Sequence, residues 1–215
     1  MSFLNQLKQQ AKSLQSQQEV DLQHLEANVA ATEAACKTTW HYFTELPRQL
    51  NVIEPAAARL SLDGKTPWPA MKQTDFRFDA RKKLLRDKEV FDYLALGWRL
   101  EPREGGAAKG SVAVNFPPDL ERVERRLRAG HVPHERREQR HPDTHRIQLI
   151  VFEHELASRA SVLITADHDN AVLDIRLACV NGLEIVTTRY AADQWTTAVL
   201  DELAKLIVGE PSLFL

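Results

Sequence analysis

The first fifty residues contain no glycine, and no proline before Pro47. Apolar or small side chains fall at Leu4, Leu7, Ala11, Leu14, Leu22, Leu25, Val29, Thr32, Cys36, Thr39, Phe43, Leu46 and Leu50, mostly in steps of three and four. That is one face of an α-helix, written as a heptad with a four-residue insertion near Gln18. Unbroken, such a helix reaches roughly 70 Å at 1.5 Å per residue. The polar stretch 13–18 allows a bend and a pair of helices instead. In both cases the apolar stripe needs a partner, either the rest of the chain or a second copy. Dilution by Ala and Thr favours packing on the chain's own sheet over a free-standing coiled coil. Leu4, Leu7, Leu14, Leu22, Leu25, Val29 and Phe43 are the stripe residues expected to carry packing or a homodimer contact.

Character changes after residue 50, so an N-terminal helical extension (1–50) and an α+β domain (51–215) are expected. Pro47, Pro55, Pro67 and Pro69, with Asp63-Gly64, read as helix breakers and turns. A short strand is expected at 59–62. Segments 74–80 and 90–100 alternate apolar and polar residues, the mark of strands buried on one face. A strand at 111–116 follows, then a helix opened by Pro117-Pro118-Asp119 with Leu120, Val123 and Leu127 inward and Gly130 as its stop. Residues 131–145, broken by Pro133 and Pro142, read as loop or frayed edge strand.

Four further strands, 145–155, 160–166, 171–180 and 183–190, form an expected C-terminal meander. Asn181-Gly182 is a strong hairpin signal. A two-residue turn there pairs Val180 with Leu183 and sets Asp174 opposite Arg189. Leu173, Ile175, Leu177 and Cys179 then share a core face, and Asp174, Arg176, Thr187 and Arg189 a polar one. A helix at 191–208, stopped by Gly209, is expected to cover the core face, with the apolar Ser-Leu-Phe-Leu terminus docked on the body. The fold class is α+β, mainly antiparallel, with the strands in either one antiparallel sheet or two sheets in contact, and without the βαβ alternation of a parallel sheet.

A formal net charge of −2 gives no global field for nucleic acid or an anionic membrane. No apolar run reaches the ~18 residues of a membrane span. The N-terminus lacks the apolar region of a secretory signal. Cys36 and Cys179, far apart and outside any CxxC, read as buried free thiols. A cytoplasmic chain is expected.

No catalytic motif survives inspection. The segment 105–111 resembles a phosphate loop, but Lys109-Gly110-Ser111 has the wrong order and a strand follows. His154-Glu155 lacks the second histidine of HExxH and sits in a strand pattern. Asp167, His168 and Asp169 resemble an acid–base trio but read as exposed turn residues. His131, His134, His141 and His145 place four imidazoles within fifteen residues and are the candidate metal ligands. Arg122, Arg125, Arg126, Arg136, Arg137 and Arg140 form a local basic segment, the candidate site for an anionic protein partner. Nucleic acid is not expected there, for want of aromatic readout residues. The polar sheet face around Asp174, Arg176 and Arg189 is expected to meet solvent unless another element arches over it.

The leading expectation is a non-catalytic interaction or scaffold module self-associating through its N-terminal helix. One alternative is a metal-dependent hydrolase or metal-binding protein using the histidine segment. The other is a binder of an anionic ligand or nucleic acid through the arginine segment. No cofactor is implied, and whether the chain is an enzyme stays open.

Overall fold

The computed structural model describes residues 3–105 and 108–215, and the side chains among them other than those of Leu4, Ser13, Ser16 and Gln18. It is an α+β fold with a long N-terminal helix, antiparallel sheets, one middle helix and a C-terminal helix.

Helix α1 (Phe3–Ile53) is one continuous helix, unbroken at the polar stretch. Pro47 lies inside it rather than ending it. Proline removes one N–H late in the helix, and Leu50, buried one turn on, holds the last turns on the body. The helix stops at Glu54, whose φ of 44° is left-handed. No strand forms at 59–62; the backbone there is irregular, Leu60 accepting from the Trp68 amide at 2.8 Å.

Sheet A has the order β1-β2-β6-β7-β8, where β1 is Met71–Leu85, β2 Lys88–Pro102, β6 Ser158–Asp167, β7 Val172–Ala178 and β8 Ile185–Ala191. Sheet B has the order β3-β5-β4, with β3 Lys109–Val114, β4 His134–Arg140 and β5 Ile147–Glu155. Three of the four expected meander strands are therefore consecutive neighbours, while the first, β5, belongs to the other sheet. Sequence adjacency misplaces it because the two-residue link between β5 and β6, Leu156-Ala157, crosses from sheet to sheet instead of closing a hairpin.

Alternation fixes what each sheet buries. Leu94, Leu96, Trp98 and Leu100 of β2, Val162 and Ile164 of β6, and Leu173, Ile175 and Leu177 of β7 are buried on one face. Helix α1 packs on β1, β2 and β6, and touches α3 (Thr197–Val208), which contributes Leu200, Leu203 and Ile207 to the same core. Helix α2 (Pro117–Ala129) packs against β3 with Val123 and Leu127 inward. The expected register holds along the strands, where Asp174 faces Arg189, the carboxylate accepting from Nε at 2.7 Å. Pairing ends at Ala178 and Ile185, however, and the six residues 179–184, with Cys179 at φ 56°, connect the strands in place of the two-residue turn pairing Val180 with Leu183. Gly209 ends α3 in the left-handed region (φ 81°). Phe214 docks on Tyr190, ring centroids 5.3 Å apart.

Two positions depart from expectation locally. Gly130 is not left-handed (φ −85°); that conformation falls on His131 (φ 48°). A Cβ on Gly130 would meet Ser158 Oγ at 2.5 Å, so glycine there serves close packing. His168 is 3% exposed. Its Nε2 lies 2.9 Å from Glu33 Oε1, which also accepts the Phe91 amide at 2.8 Å. The turn after β6 is thus partly covered by α1, not solvated throughout.

Candidate functional site

Helix α1 changes partner along its length. From Thr32 onward its stripe is core: Thr32, Cys36, Thr39, Phe43 and Leu50 are buried. Leu25 and Val29 are half-buried. Before them the same stripe is bare, with Leu7, Leu14 and Leu22 exposed by 46%, 61% and 59%. The Leu4 side chain lies outside the described ones. The arm from Phe3 to Leu22 is ~30 Å long at 1.5 Å per residue, and the packed region begins near Leu25 rather than at residue 51.

The four candidate histidines do not converge. His131 and His134 flank the start of β4, and His141 and His145 lie beyond its far end, ~20 Å away at the rise of an extended strand. His134 Nδ1 lies 2.8 Å from the Val132 carbonyl oxygen and its ring sits edge-on to Phe152. His141 Nδ1 accepts the Asp143 amide at 3.2 Å in the β4–β5 turn. Among the described residues no three His, Cys, Asp or Glu side chains gather closely enough to hold a metal ion.

The candidate arginines divide. Arg126 is built in: its Nη1 donates to the Ser61 and Leu62 carbonyls at 3.3 and 3.2 Å, and its Nη2 to Glu184 at 3.2 Å. Arg122 pairs with Asp119. Segment 134–140 is an exposed edge strand in which Arg136 and Arg140 share Glu138, and Arg137 bridges Glu135 and Glu153. Arg125 is exposed at the surface of α2. Alternating charges therefore neutralise most of this segment within itself. The phosphate-loop resemblance fares no better: Gly106 and Ala107 lie outside the described residues, and Lys109–Val114 is a strand. Gly110 has a steric role, since a Cβ there would meet the His154 ring at 2.7 Å. That ring stacks on Trp68, and burial depresses its pKa.

A different set of arginines meets on the outer face of sheet A. The strand registers align Arg77, Gly97, Ser161 and Ala178 in one row across β1, β2, β6 and β7. Two residues along, Arg99 of β2 stands directly opposite Arg159 of β6. Arg176 flanks the row on its other side. With Asp75, Ala129 and His131 these residues line a cleft of about 350 Å³. The end of α2 forms its wall, held by the Gly130 carbonyl, which accepts the Ser158 hydroxyl and the Arg159 amide, each at 2.9 Å. Asp75 (φ 55°), in the bulge of β1, accepts from Arg77 Nε at 2.8 Å and pairs with Arg99 Nε at 3.4 Å.

No family model, curated protein or solved structure matches this chain. Sequence reasoning missed this cleft because each arginine stands singly in its own strand. Only the β2–β6 register, which joins residues sixty apart, brings Arg99 to Arg159. One signal is present in the sequence: Arg176 falls on the polar face of the meander, with no roof that the sequence supplies.

Proposed function

We propose that this chain is a non-catalytic interaction module that self-associates through the projecting arm of α1. The observation that carries the reading is the continuity of one apolar stripe. Its second half is buried on the body and its first half is bare. Burying an exposed leucine is worth ~1.5–3 kcal/mol, so three on one stripe make a substantial unmet driving force.

The pattern also selects an orientation. Around a midpoint between Leu14 and Gln15, Leu7 mirrors Leu22, Leu4 mirrors Leu25 and Lys8 mirrors Asp21, while Leu14 itself falls opposite Gln15. Antiparallel pairing of two arms sets leucine on leucine and lysine beside aspartate. It also carries the two bodies to opposite ends of the paired segment, away from each other. Parallel pairing sets Lys8 on Lys8 and Asp21 on Asp21, which is repulsive.

Light scattering on the full chain should give twice the chain mass, and deletion of residues 1–22 should give the chain mass with the circular dichroism of a folded body. Orientation is read by cysteine cross-linking. A mixture of Leu7→Cys and Leu22→Cys chains should form the mixed disulfide, with little of either homodimer. A monomeric full chain sinks the reading; homodimeric cross-links of Leu7→Cys alone overturn the antiparallel orientation.

A further inference from the structure

We infer that the cleft on the outer face of sheet A binds a small anion carrying two phosphate groups. Arg99 and Arg159 face each other on neighbouring strands, ~5 Å apart between backbones. Like charges directly opposite on a sheet are destabilising, and a bound anion between them reverses the sign. Asp75 engages Arg77 and Arg99 through Nε, and Arg99 Nη1 also lies 3.9 Å from Glu101 at the edge of the cleft, so Arg77 keeps both Nη groups and Arg99 its Nη2 outside these pairs. Among the described residues Arg159 and Arg176 have neither an ion pair nor a side-chain hydrogen bond. Four guanidiniums thus surround one carboxylate inside the cleft, on a chain whose net charge is −2.

The floor gives a second, independent indication. Glycine in a strand interior weakens the strand and often marks the close approach of another group. Gly97 sits in an inner strand, and an added Cβ would come no nearer than 3.9 Å to the Ala160 carbonyl oxygen. Packing within the chain therefore does not call for glycine at this position. Together with Ser161 and Ala178, also small, it leaves a shallow bed between Arg77 on one side and Arg159 and Arg176 on the others. Arg77 and Ala178 are three strand spacings apart, ~14 Å. Four guanidiniums less the Asp75 carboxylate leave the lining a formal charge of +3 (4 − 1), more than the ~1.5–2 negative charges of one phosphate group offset, so two phosphate groups, one of them between Arg99 and Arg159, match the cleft better than one. Guanidinium forks match phosphate oxygens in pairs. Of the rings among the described lining residues, Trp98 is buried and stacked on Phe76 and offers no face to the anion, which leaves the His131 imidazole as the one ring at the cleft wall.

The test is titration calorimetry of the full chain with pyrophosphate, with inorganic phosphate as the weaker comparator. One pyrophosphate per chain is expected, binding at least tenfold more tightly than phosphate and raising the thermal midpoint. Arg99→Ala/Arg159→Ala should weaken binding at least tenfold while the ligand-free protein stays folded and melts no lower, since the repulsive pair is gone. Gly97→Val should block binding by filling the bed. Arg136→Ala/Arg137→Ala should bind as the unaltered chain does. Absence of pyrophosphate binding overturns the inference. So does binding that survives Arg99→Ala/Arg159→Ala, or a single-stranded oligonucleotide that binds here and is not displaced by pyrophosphate.

Discussion

Thr39 is bonded twice in the core: its hydroxyl donates to the Ala35 carbonyl at 3.0 Å and accepts from Trp195 Nε1–H at 2.7 Å. Thr39→Val keeps the shape and leaves the indole N–H buried without a partner. Such a loss costs ~1–3 kcal/mol, and chemical denaturation should show it. Asp63 organises the turn before Trp68. Burial raises its pKa, but hydrogen bonds from the Thr66 and Lys65 amides and the Thr66 and Ser61 hydroxyls outweigh that and hold it at about 2. Because a free aspartate titrates near ~4, this contribution is complete above that pH and fades as pH falls toward 2. Asp63→Asn should therefore melt lower than the unaltered chain at pH 7, with the gap closing between pH 4 and 2. Burial also lifts the thiols, Cys36 to about 12 and Cys179 to about 11. A thiol reagent at pH 8 should label neither until the protein unfolds. The burial of these cysteines was legible from their apolar stripes. His168 was not, because a polar residue in a tight turn gives no hint that a helix 135 positions away will cover it.

At the scale of elements, periodicity told most about segments that bury a single face. The stripe of α1, the β7–β8 register and the Gly209 stop were all readable, since each depends on neighbours a few residues away. Pro47 misled because the rule for proline is local, whereas the anchoring of Leu50 is tertiary. Strand β4 was nearly invisible: every residue of it is exposed, so it has no alternation to read. The two halves of α1 should respond differently to truncation. Removal of residues 1–22 should leave the thermal midpoint of the body close to its original value under monomeric conditions. Removal of residues 1–50 takes away Cys36, Phe43 and Leu50 and should abolish cooperative melting, since loss of one buried phenylalanine side chain alone costs ~3–5 kcal/mol.

Across the whole molecule the buried residues of α1, both sheets, α2 and α3 form one contiguous cluster. Unfolding followed by far-ultraviolet dichroism and by tryptophan fluorescence should give coincident transitions. Separate transitions would mark the second half of α1 as independent of the body. Architecture class was within reach of the sequence because it follows from the types of element. The partition into two sheets and the cleft on the outer face were not, since both arise from pairings between distant strands.

The bond from Thr39 to Trp195 spans 156 positions. At a synthesis rate of ~5–20 residues per second, Thr39 is joined to the chain ~8–30 s before Trp195. During that interval both the buried half of its stripe and the arm are without the cover that the later strands and α3 provide. On the proposed pairing of arms, two nascent chains on one messenger would meet before either body exists, and that encounter would be a co-translational event shielding the helix until its core arrives.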